Sequence, residues 1–249
     1  MAKLFEHVNI GNMELRNRLV MPPMSTNFAA EDGSVTQRTI DYYRERARGG
    51  VGLVIVEGSY VHPLGKGSNL QMSLTNDDKI PGLRKLAKAI QAEGAKAAIQ
   101  LFHAGRQVSS MILGTQPVSA SNVPCQLVRE TPRPLKIGEI KETIGAFGEA
   151  ARRIKDAGFD AVEIHAAHGY LINQFLSPLT NLRRDRYSGD FEGRTRFLLE
   201  IIQKIGEIVG DEFPIICRMN GDDYFEGGIT LPEAKRIAEM VEEAGVDAI

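Results

Sequence analysis

Short apolar segments rich in β-branched residues alternate along this chain with longer segments of helical periodicity. The candidate strands are residues 19–21, 51–56, 97–101, 160–165 and 214–218, and the helical segments are 83–93, 140–157, 193–209 and 231–244. The apolar segments are too short for helices, and their β-branched composition is typical of parallel strands that are buried on both faces. The alternation therefore predicts βαβ units and an α/β fold.

Two α/β architectures fit this alternation, an open doubly wound sheet and a closed barrel. A doubly wound dinucleotide domain should carry G-x-G-x-x-G after its first strand, but the proline-containing segment 21–25 stands there instead. Because strand side chains alternate between two faces, Gln100, His165 and Arg218 each end a strand on the face opposite its apolar neighbours. In a (β/α)8 TIM barrel that face points inward at the C-terminal mouth, where active sites are built. The pattern favours the barrel.

The end of the chain nearly repeats an earlier segment. Residues 244–249 read AGVDAI, and residues 157–162, which open the fourth predicted strand, read AGFDAV. We therefore expect residues 1–249 to form a single TIM-barrel domain that is incomplete at the C-terminus, with about five and a half strands present. An unpaired strand edge promotes association. A homo-oligomer, or a non-catalytic fragment that needs a missing segment or a partner chain, therefore stays open.

Charge and composition argue against several classes of function. A net charge of −2 gives no electrostatic basis for binding nucleic acid or an anionic membrane. No apolar run approaches the roughly 20 residues of a membrane span. The N-terminus lacks the features of a secretory signal, so we expect a cytoplasmic protein. Cys125 and Cys217 belong to no C-x-x-C pair, so we expect no metal or iron–sulfur cluster held by cysteines of this chain.

The densest chemical signal is the group formed by His165, His168 and Tyr170 at the end of the fourth predicted strand. Two imidazoles at this spacing can converge on one oxygen as hydrogen-bond donors, which polarises a carbonyl group and stabilises developing negative charge. A tyrosine with an ordinary pKa of about 10 is protonated at neutral pH and can supply a proton. Two alternatives stay open: a purely structural cluster, and a metal-dependent barrel hydrolase with His103, His165 and His168 as ligands.

Longer motifs then indicate a family. They are PPM at 22–24, QLFHAGR at 100–106, HAAHGYLINQFLSP at 165–178 and NLRRDRYSG at 181–189. These segments resemble the Old Yellow Enzyme family, and are most similar to its bacterial branch of NADH:flavin oxidoreductases, 2-enoate reductases and 2,4-dienoyl-CoA reductases. The similarity runs along the whole chain. Ser188 stands where this family usually has glycine and Gly193 where it usually has asparagine, which puts the geometry of that loop in question.

The resemblance implies an FMN-containing barrel with the flavin ring over its mouth. The residues that it implies around the flavin are Pro23, Met24, Ser25, Gly58, Gln100 and Arg218. Gln100 matches the side chain that hydrogen-bonds the pyrimidine edge, and Gly58 matches a small residue that leaves room for the ring. Arg218 matches a cation near flavin N1, where a guanidinium stabilises the anionic reduced flavin. From the residues alone, Arg218 could instead pair with Glu163 or Glu57.

The resemblance also implies a reaction and a small-molecule partner. NAD(P)H would reduce FMN, and an α,β-unsaturated acid, thioester or ketone would then bind with its carbonyl oxygen on His165 and His168. Tyr170 would protonate the α-carbon as the alkene is reduced. Larger relatives carry an iron–sulfur cluster and a second nucleotide-binding domain after the barrel, which are not expected in this chain. The loops after strands seven and eight usually hold the flavin phosphate, so FMN binding by this chain alone stays open.

Overall fold

The structure is a computed structural model, and it describes residues 3–249. Its strands are β1 (Val8–Ile10), β2 (Met13–Leu15), β3 (Val20–Met21), β4 (Leu53–Tyr60), β5 (Lys96–Phe102), β6 (Val118–Ser119), β7 (Arg133–Pro134), β8 (Ala161–Ala166) and β9 (Ile215–Met219). Its α-helices are α1 (Gln37–Arg48), α2 (Ile80–Gln91), α3 (Ser110–Leu113), α4 (Ile137–Ala157), α5 (Leu171–Leu176), α6 (Phe191–Val209) and α7 (Leu231–Glu243).

Five parallel strands form the central sheet in the order β3-β4-β5-β8-β9, which is also their order along the chain. Helices α1, α2, α4, α6 and α7 follow these strands in turn, so each crossover is a βα unit. The five predicted strands are confirmed, with β4 extending to Tyr60 rather than ending at Val56. The result is the curled parallel half-barrel that the predicted incomplete TIM barrel requires.

The two faces of the sheet bury different partners. On the outer face Val56, Ile99 and Val162 belong to the large core that includes the helices. In α2, for example, Leu83, Leu86, Ala87 and Ile90 repeat at helical spacing and are all fully buried. The predicted alternation of strand faces is confirmed, because neighbouring positions on the same strands point away from this core.

The β1–β2 hairpin covers the inner face of the sheet towards the N-terminal ends of its strands. Met13 and Leu15 of β2 pack in one cluster with inward-facing Ile55, Ala98 and Ile216. The hairpin was not predicted, because strands of three residues are too short to show alternation. Apolar packing therefore fills the bottom of the half-barrel and leaves the C-terminal end of the strands for polar side chains.

The last residues of the chain pair with β9 as the predicted sixth strand would. The Asp247 N–H donates to the Ile215 carbonyl at 2.8 Å, and the Cys217 N–H donates to the Ala248 carbonyl at 2.9 Å. Ile216 and Ala248 form a parallel bridge. In the described part of the chain, no helix is both long and apolar enough to cross a membrane.

Candidate active site

Polar side chains occupy the inner face where the strands approach their C-terminal ends. Gln100 of β5 lies in register with Glu163 of β8, and its Nε2 donates to Glu163 Oε1 at 2.7 Å. Both side chains are buried. His165 stands in register with Arg218 of β9. Three strands thus present the residues that the alternation predicted on one face.

Glu163 is an unusual carboxyl group at this position. Burial raises its pKa to about 7, although the Gln100 hydrogen bond and the Arg218 guanidinium both act to lower it. Within residues 3–249 no acidic side chain forms an ion pair with Arg218 at 4.0 Å or closer. The alternative in which Arg218 pairs with Glu163 or Glu57 is therefore not realised, and the guanidinium is left available for another partner.

Glu163 should make the protein less stable as the pH rises. In the unfolded chain this carboxyl titrates near its ordinary value of 4.5, whereas in the folded protein it keeps its proton to about pH 7. Between these pH values the folded state binds more protons, so the free energy of unfolding falls with increasing pH. The stabilisation is complete below about pH 4.5, is lost by about pH 7 and amounts to about 3 kcal/mol.

Urea unfolding at pH 5 and pH 8 tests this expectation, with Glu163→Gln as the matched variant. Glutamine keeps the acceptor for Gln100 Nε2 but does not titrate. We expect the free energy of unfolding of the unsubstituted protein to fall by about 2–3 kcal/mol more than that of the variant between the two pH values. An identical pH dependence of the two proteins would show that Glu163 does not hold a proton in the folded state.

Gly58 lets β4 pass close to the side chains of Gln100 and Phe102. The register between β4 and β5 shifts between Val56 and Ser59, which is a β-bulge that places an extra residue opposite β5. A Cβ on Gly58 would lie 2.9 Å from Gln100 Oε1 and 3.2 Å from the Phe102 side chain. Because Gln100 Nε2 donates to Glu163, Oε1 is the acceptor end of this amide beside Gly58.

The segment after β3 is tied to β4 by hydrogen bonds to Glu57. Pro23 is half-buried, whereas Met24 and Ser25 are exposed. The next residue, Thr26, is anchored to the buried carboxylate of Glu57: its hydroxyl donates to Glu57 Oε1 at 2.9 Å and its N–H donates to Glu57 Oε2. Burial raises the pKa of Glu57, and the hydrogen bonds from Thr26 oppose this effect. The anchoring role of Glu57 was not predicted, although an acidic residue within an apolar strand is the signal that could have indicated it.

His165 and His168 are hydrogen-bonded to each other. The Ala167 N–H donates to His165 Nδ1 at 3.3 Å, so this ring carries its proton on Nε2. His165 Nε2 then donates to His168 Nδ1 at 3.2 Å, which leaves the proton of the second ring on its own Nε2. Burial, the neighbouring His168 and Arg218 lower the pKa of His165 to about 3. Burial and Arg218 also lower the pKa of His168. Both rings are therefore neutral at neutral pH, and each carries its proton on Nε2.

His168 has a strained backbone that its surroundings hold in place. Its φ is 60°, in the left-handed region that costs a residue with a side chain about 1–2 kcal/mol, and Gly169 follows with φ 73°. The His168 N–H donates to Asn220 Oδ1 at 2.9 Å, and its carbonyl accepts from Gln107 Nε2 at 2.6 Å. The Gly169 N–H donates to Asn173 Oδ1 at 2.7 Å. The roles of Gln107, Asn173 and Asn220 were not predicted. Their side chains hold the backbone that carries the His168 ring.

Tyr170 packs against the same group. Its ring centroid lies 4.5 Å from that of Phe102 and 4.9 Å from that of His165, in edge-on contacts. Burial, and to a smaller extent the Cys125 thiol, raises the pKa of the phenol above its ordinary value of 10. The phenol of Tyr170 therefore stays protonated throughout the physiological pH range.

His103 takes no part in this group. Its ring is buried and stacks on His62 with the centroids 6.2 Å apart, and burial lowers its pKa to about 3. In the part of the chain that the structure describes, no three His, Cys, Asp or Glu side chains converge as metal ligands. The hypothesis of a hydrolase with a metal on His103, His165 and His168 is therefore wrong.

Comparison with known proteins agrees with this geometry. The model of the NADH:flavin oxidoreductase / NADH oxidase family matches residues 3–249. The chain belongs to this family. It is 53% identical over 248 residues to an NADH oxidase of Thermoanaerobacter brockii, covering 99% of this chain and 38% of that protein. The chain thus spans less than two fifths of that relative.

Two solved structures show the same fold over nearly the whole chain. A complex of 2-naphthoyl-CoA reductase with 2-naphthoyl-CoA matches with a TM-score of 0.95 and 40% identity, covering 98% of this chain and 39% of that protein. Morphinone reductase matches with a TM-score of 0.88 and 30% identity, covering 98% and 70% respectively. The resemblance to the Old Yellow Enzyme family and the incomplete TIM barrel are confirmed. Membership of the family implies FMN and a nicotinamide nucleotide as cofactors.

Proposed function

We propose that this chain is the catalytic part of an FMN-dependent oxidoreductase that reduces activated C=C bonds of α,β-unsaturated carbonyl compounds with NAD(P)H. The observation that carries the proposal is the neutral donor pair of His165 and His168 beside the protonated phenol of Tyr170. His165 lies in β8, and His168 and Tyr170 directly follow this strand, which pairs with the strand that carries Gln100. A cytoplasmic location and a homo-oligomer belong to the same proposal.

Three residues on the inner face of the half-barrel fit a flavin ring. Gly58 leaves the space that any side chain would fill, Gln100 presents an acceptor oxygen there, and Arg218 is a cation without an acidic partner among residues 3–249. We propose that these three residues hold the isoalloxazine ring together with the exposed segment of Pro23, Met24 and Ser25. Bound FMN would supply hydride equivalents taken from NAD(P)H.

The histidines and the tyrosine would act on the substrate. The Nε2–H of His168, and that of His165 once it turns from its neighbour, can donate to one carbonyl oxygen. Because both rings are neutral, they polarise the carbonyl without protonating it, and they stabilise the charge that develops on its oxygen. Tyr170 then gives its phenolic proton to the α-carbon. Two similar structures carry names that specify a CoA thioester and a ketone, which supports unsaturated carbonyl compounds as the substrate class.

The experiment follows the visible flavin absorbance of the FMN-loaded protein in the absence of oxygen. We expect NADH or NADPH to bleach the absorbance and cyclohexenone to restore it, with formation of cyclohexanone. Failure to retain FMN on size-exclusion chromatography would support the alternative of a non-catalytic fragment. Recovery of the absorbance with oxygen but not with cyclohexenone would instead favour an NADH oxidase.

A further inference from the structure

Glu57 is a carboxyl group inside the sheet that has no cationic partner. It belongs to β4, in which every residue is buried, and it is 1% exposed. Of the ion pairs that residues 3–249 form at 4.0 Å or closer, none includes Glu57. A buried carboxylate without a counter-ion is costly unless hydrogen bonds replace the water that it has lost. The donors of those hydrogen bonds therefore show which part of the molecule the carboxylate holds.

The donors come from the segment that follows β3. The Thr26 hydroxyl donates to Glu57 Oε1 at 2.9 Å, and the Thr26 N–H donates to Oε2. The Asn27 N–H also acts on the carboxyl group as a hydrogen-bond donor and lowers its pKa. Both oxygens of Glu57 are thus occupied by two consecutive residues of one segment.

The chain between β3 and Thr26 makes few other attachments. The ladder that pairs β3 with β4 ends at Met21, and the next two residues are prolines, which have no N–H with which to continue it. Among residues 3–249, the first hydrogen bonds to β4 after Met21 are those from Thr26 to Glu57. The position of the intervening segment relative to β4 therefore depends on this carboxylate.

The backbone around Glu57 is fixed from another side. Its N–H donates to the phenolic oxygen of Tyr43 in α1 at 2.9 Å, and Tyr43 is fully buried. The next residue is Gly58, where a Cβ would lie 2.9 Å from Gln100 Oε1. Two adjacent residues of β4 thus set two features of the proposed flavin site: the position of residues 23–25, and the room beside Gln100.

We propose that Glu57 is a positioning residue for the flavin, because its carboxylate holds residues 23–25 against β4 and thereby keeps them at the isoalloxazine ring. The inference rests on the proposed function, in which these residues border the ring. Since both carboxylate oxygens accept from Thr26, Glu57 would act on the ring only through this segment. Loss of the carboxylate should release the segment and weaken flavin binding while the rest of the sheet stays in place.

Protonation of Glu57 should weaken the attachment, because a protonated carboxyl oxygen is a poorer acceptor than a carboxylate oxygen. Burial raises the pKa of Glu57, and the hydrogen bonds from Thr26 and Asn27 oppose this effect. Among the neighbouring groups, Tyr43 has a pKa raised by burial and by Glu57, so its phenol stays neutral. On the paired strand β5, residues 97–102 carry no charge. Flavin affinity should therefore fall as the pH falls from 8 towards 5.

Hydrogen exchange tests the attachment in the flavin-free protein. We expect the Thr26 amide to exchange about tenfold faster in Glu57→Gln, because glutamine offers one acceptor oxygen and an NH2 group to the two donors of Thr26. Asp160→Asn is the matched control. Asp160 Oδ2 also accepts from a backbone N–H, that of Ala97 at 2.9 Å, but at the N-terminal end of the strands. The control should leave the exchange of Thr26 unchanged.

Equilibrium dialysis with FMN tests the positioning role. At pH 8 we expect Glu57→Gln to raise the dissociation constant about tenfold and Asp160→Asn to leave it unchanged. At pH 5 the ratio between Glu57→Gln and the unsubstituted protein should be smaller, because the carboxyl group is then partly protonated. Comparison at equal pH cancels the titration of Glu163 and of the FMN phosphate. Thr26→Val, which removes only the hydroxyl, should raise the dissociation constant about threefold, and it decides the question if Glu57→Gln fails to fold.

Three results would overturn the proposal. They are unchanged exchange of Thr26 in Glu57→Gln, faster exchange with unchanged FMN affinity, and a loss of affinity in Asp160→Asn as large as that in Glu57→Gln. Absence of FMN binding by the unsubstituted protein would instead overturn the proposed function, on which the inference rests.

Discussion

Replacement of Tyr170 by phenylalanine is expected to slow alkene reduction by about 10²–10⁴-fold while flavin reduction by NAD(P)H keeps its rate. The ring is held by Phe102 and His165 through edge-on contacts at 4.5 and 4.9 Å, and phenylalanine preserves these contacts. The change therefore removes the phenolic proton and little else. Because burial raises the pKa of Tyr170, the unsubstituted protein should also keep its rate of alkene reduction up to about pH 10.

Anaerobic stopped-flow measurements separate the two half-reactions. Tyr60→Phe is a suitable control, because Tyr60 is buried in the same small cluster with Phe102 and Tyr170 but is not among the proposed proton donors. The control should perform both half-reactions as the unsubstituted protein does. If Tyr170→Phe reduced cyclohexenone at the full rate, the proton would have to come from another group.

The inward position of Gln100, His165 and Arg218 was predictable because a strand has a strict period of two. Each of these polar residues has apolar neighbours along its strand, so the sequence alone assigns it to the face opposite those neighbours. Helix α1 carries no comparable signal. Its buried positions are Thr39, Tyr43 and Ala47, a stripe with little apolar character, and it was not predicted.

The residues that hold His168 in its left-handed conformation could not be predicted from periodicity. Gln107 and Asn220 lie in loops, and Asn173 lies in the six-residue helix α5. Each binds a backbone group near His168 or Gly169, and an amide in a loop has no sequence pattern that identifies such a partner. The sequence motif therefore indicates the candidate side chains. The contacts that hold them in place join segments that are distant in sequence.

Of the two departures from the family pattern, glycine at 193 has a direct structural reason. A Cβ on Gly193 would overlap the Ser188 carbonyl oxygen and lie 3.1 Å from Asp190 Oδ1. Asp190 is the N-cap of α6 and accepts from the Gly193 N–H at 2.8 Å. Because that oxygen belongs to the backbone, the overlap does not depend on the serine side chain, and glycine at 193 lets the loop keep its cap. Nothing in the structure explains serine rather than glycine at 188.

Replacement of His165 by alanine is expected to slow reduction of the unsaturated carbonyl compound by about 10²–10³-fold, the usual cost of losing one donor to a developing oxyanion. The loss has two parts. One donor disappears, and so does the Nε2–H that fixes the protonation of His168 by donating to its Nδ1 at 3.2 Å. Because burial lowers the pKa of His165 to about 3, the rate should show no titration of this ring between pH 5 and pH 8.

A double-mutant cycle tests whether the two rings act as one unit. If His165 sets the tautomer of His168, the variant that carries both His165→Ala and His168→Ala should be little slower than His165→Ala alone. His165→Asn should recover part of the rate, because its amide can still donate to the carbonyl oxygen. Independent donors would give additive losses in activation free energy instead, and the hydrogen bond between the rings would then have no part in catalysis. The measurement is the single-turnover rate with cyclohexenone, which reports the step in which charge develops on the oxygen.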